Sequence, residues 1–140
     1  MGSGLCTSLY SIELKVVLCF FNLYGPYADR EIFWTNLSSL ECFKNNNMIF
    51  GGDLNFSFGF SEIWGVKAKV DSLYDFFSRY LDVLGLVDLT PSVLLATWYN
   101  RRFGGENICK RLDRPLNSAD LLDCDLHFRQ WVGCGGDSDH

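Results

Sequence analysis

Four short stretches hold the residues best equipped for chemistry. Asn22-Leu23-Tyr24-Gly25-Pro26 closes one apolar run, and Gly51-Gly52-Asp53-Leu54-Asn55 closes another. Arg111-Leu112-Asp113-Arg114 stands in a basic stretch, and Ser138-Asp139-His140 comes last. Together they bring amides, carboxylates, a phenol and an imidazole. Those are the groups that phosphodiester hydrolysis needs. A carboxylate takes the attacking water's proton, a metal or cation holds the phosphate oxygens, and a proton donor meets the developing charge. Each stretch taken singly has an ordinary reading. Gly-Gly-Asp after a strand is a turn, because glycine admits positive φ and aspartate bonds its own backbone. Asp113 among arginines is an ion pair, Tyr24 a packed aromatic, and a terminal Ser-Asp-His a frayed end. Their shared placement argues for more. They fall at the ends of predicted strands, where open α/β sheets bind ligands.

The elements that must position these residues are legible in the hydrophobic pattern. Leu14 to Leu23 is nearly all apolar, which predicts a strand buried on both faces and ended by Gly25-Pro26. Asp29 to Phe43 predicts a helix, with Phe33, Leu37 and Leu40 on one face. Met48 to Phe50 predicts a short buried strand. Asp71 or Ser72 can cap a second helix, in which Leu73, Phe76, Phe77, Tyr80, Leu81 and Leu84 recur at helical spacing and Gly85 supplies the stop. Leu86 to Leu89 starts another strand. Thr97-Trp98-Tyr99 and Ile108 to Leu112 predict a hairpin around Gly104-Gly105. This order implies a layered α/β fold.

Composition sets bounds on function. The chain has 140 residues, 48% apolar and 16% aromatic, so one domain with a real core is expected. A net charge of −5 excludes a generic basic nucleic-acid coat. It leaves room for an enzyme with local positive charge, and residues 101–114 carry five cations against two carboxylates. The alternative for that stretch is a solvated basic loop. None of the six cysteines forms a C-x-x-C pair, which argues against zinc. Reduced thiols and no disulfide-linked partner are expected. The longest apolar run, Val16 to Phe21, is far short of the roughly 20 residues a membrane span needs, and no signal peptide is evident. The expected setting is intracellular, away from membranes.

The order and wording of the four motifs resemble the DNase I-like endonuclease/exonuclease/phosphatase superfamily. Within it they resemble the apurinic-type endonuclease domains of plant LINE-type retroelements. Phe33-Trp34, Glu62 with Gly65, and Thr97-Trp98-Tyr99-Asn100-Arg101 carry the same likeness. It runs over residues 14–140 and leaves 1–13 as a lead-in without counterpart. The resemblance implies DNA as partner, the nucleus as a location, and Mg²⁺, or Mn²⁺ in its place, as cofactor. It also implies roles. Asp53 would orient and deprotonate the attacking water, with Asn55 holding that water or a phosphate oxygen. Tyr24 would donate to the phosphate, supported by Asn22, while Arg111 and Arg114 would contact substrate. His140 would touch the scissile phosphate, Asp113 would set its tautomer, and Asp139 would lie at the metal.

The family's pattern also has an earlier half, with a metal-binding glutamate. Only Glu13 precedes Asn22 as a carboxylate here, and it lacks the family's Gln-Glu setting. The family packs two sheets face to face between helical layers. The expected fold is therefore a partial four-layer α/β sandwich, its C-terminal half only. That is a truncated domain, inactive alone, whose open sheet favours self-association. Two alternatives stand beside it: a phosphoesterase completed by a partner, and a non-enzymatic interaction remnant.

Overall fold

The computed structural model describes residues 2–44, 47–124 and 127–133. In chain order its regular elements are β1 (Ser3–Ser11), β2 (Val16–Tyr24), α1 (Arg30–Ser38), β3 (Met48–Gly51) and β4 (Ile63–Trp64). They continue with α2 (Tyr74–Leu84), β5 (Leu86–Asp88), β6 (Trp98–Tyr99), β7 (Cys109–Lys110), β8 (Leu116–Ser118) and α3 (Ala119–Leu122). The fold is a layered α/β arrangement built on one main sheet of order β1-β2-β3-β8-β5 and a small sheet of order β4-β7-β6.

The lead-in is a strand. β1 pairs antiparallel with β2 along its whole length, from Ser3↔Tyr24 to Ser11↔Val16. β2 and β3 run parallel with α1 between them, the crossover that parallel pairing requires. β8 then pairs antiparallel with both β3 and β5.

One face of the main sheet carries the core. Phe21, Leu23, Phe50, Leu116 and Leu86 meet Trp34 of α1 and Phe77 and Leu81 of α2 there. The rings interlock: Phe56 stacks on Phe77 at 4.1 Å, and Trp34 meets both edge-on. Tyr80 donates from its hydroxyl to the Trp34 carbonyl at 2.7 Å, which ties α2 to α1. Burial pushes the Tyr80 pKa up to about 12 against the opposing Ser38 contact, so this donor keeps its proton.

The expectation that the first strand is buried on both faces is corrected. Cys19, Phe21 and Leu23 are buried, but Leu18 and Phe20, which alternate with them, are only half-buried. The physical reason is that the core lies on one side of the sheet. On the other side, residues 128–133 line a cleft of about 530 Å³ together with Ile49, Gly51 and Asn117.

The first helix is also shorter than its apolar spacing predicts. Ser38 and Ser39 turn their hydroxyls onto the Thr35 and Asn36 carbonyls, and the Ser39 amide also bonds Asn36. Such side-chain bonds compete with continued helix. A separate 3₁₀ turn follows at Glu41–Lys44, and Leu40 stays exposed. Trp34 is the buried anchor of α1. The second helix agrees with its periodicity. Gly85 ends it in the left-handed region at φ 60, and Asp71 accepts from the Leu73 amide at 3.0 Å just before it. The predicted hairpin is present as β6 and β7. Asn100 locks it by accepting from the Ile108 amide and donating to the Glu106 carbonyl. No helix among the described residues is long and apolar enough to cross a membrane.

Candidate functional site

Three of the four motifs converge through backbone pairing. The Gly25 amide donates to the Asp53 carbonyl at 2.7 Å. The Arg114 amide donates to Gly52 and the Leu54 amide to Leu112, so residues 52–54 and 112–114 run side by side with Asp53 opposite Asp113. The close approach explains two glycines. A Cβ on Gly52, which sits at φ 122, would run into the Leu23 carbonyl, and one on Gly25 would run into the Leu54 carbonyl.

The result is a cleft of about 520 Å³ lined by Asn22, Tyr24, Asp53 and Asp113 from the motifs. Ser3, Gly4 and Leu5 of β1 form its other wall. That wall was not foreseen, because nothing in the polar and apolar pattern of the lead-in marks it as part of a site. Asp53 is 6% exposed, and its Oδ1 accepts from the Asn55 amide at 3.0 Å, which fixes the carboxylate's orientation. Asp113 is half-buried, and its amide donates to the Thr97 hydroxyl at 3.0 Å. Tyr24 and Tyr27 share a hydroxyl–hydroxyl hydrogen bond of 3.3 Å. That bond, then burial and the nearby Tyr24 and Asp53, pushes the Tyr27 pKa up to about 12.

Asn55 stands apart from this cleft. Its backbone is left-handed at φ 53, and its side-chain amide donates to the Gly25 carbonyl. It lines a neighbouring pocket of about 460 Å³ with Tyr27, Arg30, Lys69, Trp98 and Lys110. Arg30 braces that side. It donates to the Asn55 carbonyl at 2.8 Å and grips Asp71 with two bonds of 2.6 Å. Burial disfavours the Asp71 charge, but the Arg30 and Leu73 hydrogen bonds outweigh it and hold the carboxyl below its usual range.

The expected substrate contacts from Arg111 and Arg114 are corrected. Both side chains are 0% exposed, and their terminal NH1 and NH2 groups are held by internal carboxylates. Arg111 bonds Glu62 at 2.6 Å and Asp88 through two bonds of 2.8 Å. Arg114 bonds Glu62 at 2.7 Å and Asp88 at 2.9 Å, and its guanidinium lies over the rings of Phe56 and Phe58. Burial opposes the Arg111 charge, yet Asp88 and Glu62 raise its pKa above the ordinary value. The physical reason is proximity: two buried carboxylates hold these cations in the interior, so they cannot meet a phosphate in solvent. The ion-pair partners are Glu62 and Asp88, and the spacing of Arg-Leu-Asp-Arg pointed instead to Asp113. No local sequence signal links residue 88 to residue 111. Of the basic stretch, Arg101 and Arg102 are the exposed cations and Lys110 is half-buried. Asp139 and His140, expected at the metal and the scissile phosphate, lie outside the described residues.

By sequence, no family profile and no curated protein matches the chain. By structure, it is similar to the endonuclease domain of TRAS1, a telomere-specific non-LTR retrotransposon. The TM-score is 0.57 at 20% identity, over 84% of this chain and 58% of that one. The chain thus spans less than two-thirds of that domain's length, and the likeness shows the fold.

Two predictions follow from the ion pairs. Glu62→Ala leaves two buried guanidiniums short of a partner. It should cost about 3–5 kcal/mol, read as a lower urea midpoint at unchanged slope; a loss under about 1 kcal/mol would show that the cluster is not buried as described. Asp71 titrates lower in the folded chain than the roughly 3.9 of an unfolded aspartate. Its ion pair therefore contributes full stability above about pH 4, and this is lost as pH falls through the folded value. The stability gap between wild type and Asp71→Asn should be flat from pH 5 to 7 and narrow as pH falls below about 4; a gap that stays the same from pH 7 down to pH 2 would contradict the lowered pKa.

Proposed function

We propose that this chain carries the carboxylate and phenol side of a phosphodiester-cleaving endonuclease site, acting on DNA, in a domain of retroelement origin. The observation that supports this reading best is the convergence of Asn22, Tyr24, Asp53 and Asp113 in one cleft at the ends of β2 and β3. The fold shared with a retrotransposon endonuclease domain adds to it, as does the plant LINE-type wording around Trp34 and Trp98. In this reading Asp53 accepts the proton of the attacking water, with its carboxylate held in place by the Asn55 amide. Tyr24 offers a hydroxyl to the phosphate, and Asn22 a second polar contact. Asn55 acts through its backbone, because its side chain is committed to Gly25.

The described residues do not by themselves complete a site for Mg²⁺ or Mn²⁺. Among the described residues, no group of three or more His, Cys, Asp or Glu side chains could hold a metal ion. Asp53 and Asp113 offer two carboxylates. Any further ligand, Asp139 included, lies outside the described residues. We therefore read the chain as unable to cleave DNA by itself. Purified protein with Mg²⁺ should leave supercoiled plasmid intact, and calorimetry should show at most a weak metal heat that Asp53→Ala removes. Nicking lost on Asp53→Ala would overturn the inactive reading. Nicking that survives the substitution would sink the role of Asp53.

A second reading, a non-enzymatic interaction remnant, draws on the side of the main sheet away from the helices. Leu5, Leu9, Leu18, Phe20, Ile49 and Val87 share that side through the strand register and carry no charge that would repel a second copy. Leu5 and Leu9 are more than half exposed. Gel filtration should show a concentration-dependent dimer that Leu9→Lys converts to monomer. A monomer at every concentration would exclude this reading.

A further inference from the structure

Cys6 and Cys42 are far apart in sequence and adjacent in the fold. Cys6 lies on β1 directly opposite Phe21 of β2, so its side chain points to the helix-covered face. The Phe21 ring packs on Phe43 at 4.9 Å, and Cys42 precedes Phe43 in the 3₁₀ turn Glu41–Lys44. Cys42 packs against the same core as Phe21 and Phe43, close enough to Cys6 for the two thiols to influence each other. Both are reduced in the structure; Cys6 is exposed and Cys42 half-buried, so an oxidant can reach the pair. The third thiol nearby, Cys19, is buried, with its Sγ 3.3 Å from the Ser8 hydroxyl. The three do not make a metal site among the described residues.

We infer that Cys6 and Cys42 are a disulfide-forming pair, which a thiol oxidant such as oxidised glutathione closes into a strap between β1 and the 3₁₀ turn. One thiolate of the pair attacks a glutathione sulfur and releases the first glutathione thiolate. The second protein thiolate attacks the mixed disulfide and releases the other. Two S–H bonds are lost, one S–S bond forms, and the two electrons and two protons leave as two molecules of reduced glutathione. Burial, and then the neighbouring Cys42 and Cys19, raise the pKa of the Cys6 thiol. The strap therefore forms faster as pH rises. It matters to the cleft because Ser3, Gly4 and Leu5, just before Cys6, form one of its walls. Closing the strap pins an edge strand that, among the described residues, pairs with β2 alone.

The sequence makes the test unambiguous. Cleavage after Lys15, Arg30 and Lys44 puts Cys6, Cys19 and Cys42 on three separate tryptic peptides. The folded chain would be treated with oxidised glutathione at pH 8, the remaining thiols blocked, and the peptides mapped without reduction. The expected product joins residues 1–15 to 31–44 within one chain, and it is absent from Cys6→Ser and Cys42→Ser. The oxidised wild type should melt about 5–10 °C above the reduced form, while oxidant leaves the melting of Cys6→Ser unchanged. A link through Cys19, a link only between separate chains, or no link in folded protein would overturn the inference.

Discussion

Arg111, Arg114, Glu62 and Asp88 form a buried cluster of two cations and two anions on which the rest of the molecule's arrangement depends. Glu62 leads into β4 and Arg111 follows β7, both in the small sheet, while Asp88 ends β5 in the main one. The cluster therefore joins the two sheets. Removing four charges from water is costly, and their mutual attraction offsets that cost only with close, multiple hydrogen bonds. Here each guanidinium meets both carboxylates, and Arg114 also bonds the carbonyls of Phe56 and Arg111. Such a cluster tolerates few alternative arrangements, so it sets the position of the 111–114 segment relative to β3.

The cleft inherits its geometry from that constraint. With residues 112–114 held beside 52–54, Asp113 comes opposite Asp53, and the end of β2 is drawn in by the Gly25 amide. The segments that carry the cleft side chains are thus positioned by backbone hydrogen bonds. Backbone positioning gives a rigid frame, and positioning is most of what phosphoryl chemistry asks of a protein. The same frame uses its arginines internally, so the positive charge in Arg-Leu-Asp-Arg holds the frame together.

The main sheet is asymmetric. Aromatic side chains from α1, α2 and the 54–58 segment fill one side, whereas the other carries apolar strand residues beside a cleft that the 128–133 stretch helps to line. β1 extends this asymmetry. It is long and paired on one edge only, and all of it but Ser11 is exposed. An edge of this kind is where a protein is most open to new contacts, and it is also where the exposed thiol of Cys6 lies.

The sequence by itself determined the elements with strong local periodicity. The 3.6-residue spacing from Leu73 to Leu84 and the stop at Gly85 specify α2, and the run ending at Gly25-Pro26 specifies β2. Both are signals carried by neighbouring residues. It also placed Asn22, Tyr24, Asp53 and Asp113 at strand ends, and the fold brings these four together. Tertiary structure alone decided what depends on distant contacts. Whether Leu18 and Phe20 are covered depends on which layers pack on the sheet, since a run of apolar residues reads the same in either case. Ser38 and Ser39 end α1 early through bonds that helical spacing does not encode. Residues 3–11 become a strand only because β2 offers them an edge. Above all, Arg111 and Arg114 look like solvent cations in a basic stretch. They become structural only because Glu62 and Asp88, tens of residues earlier in the chain, are folded against them, and a buried charge must be met by its opposite.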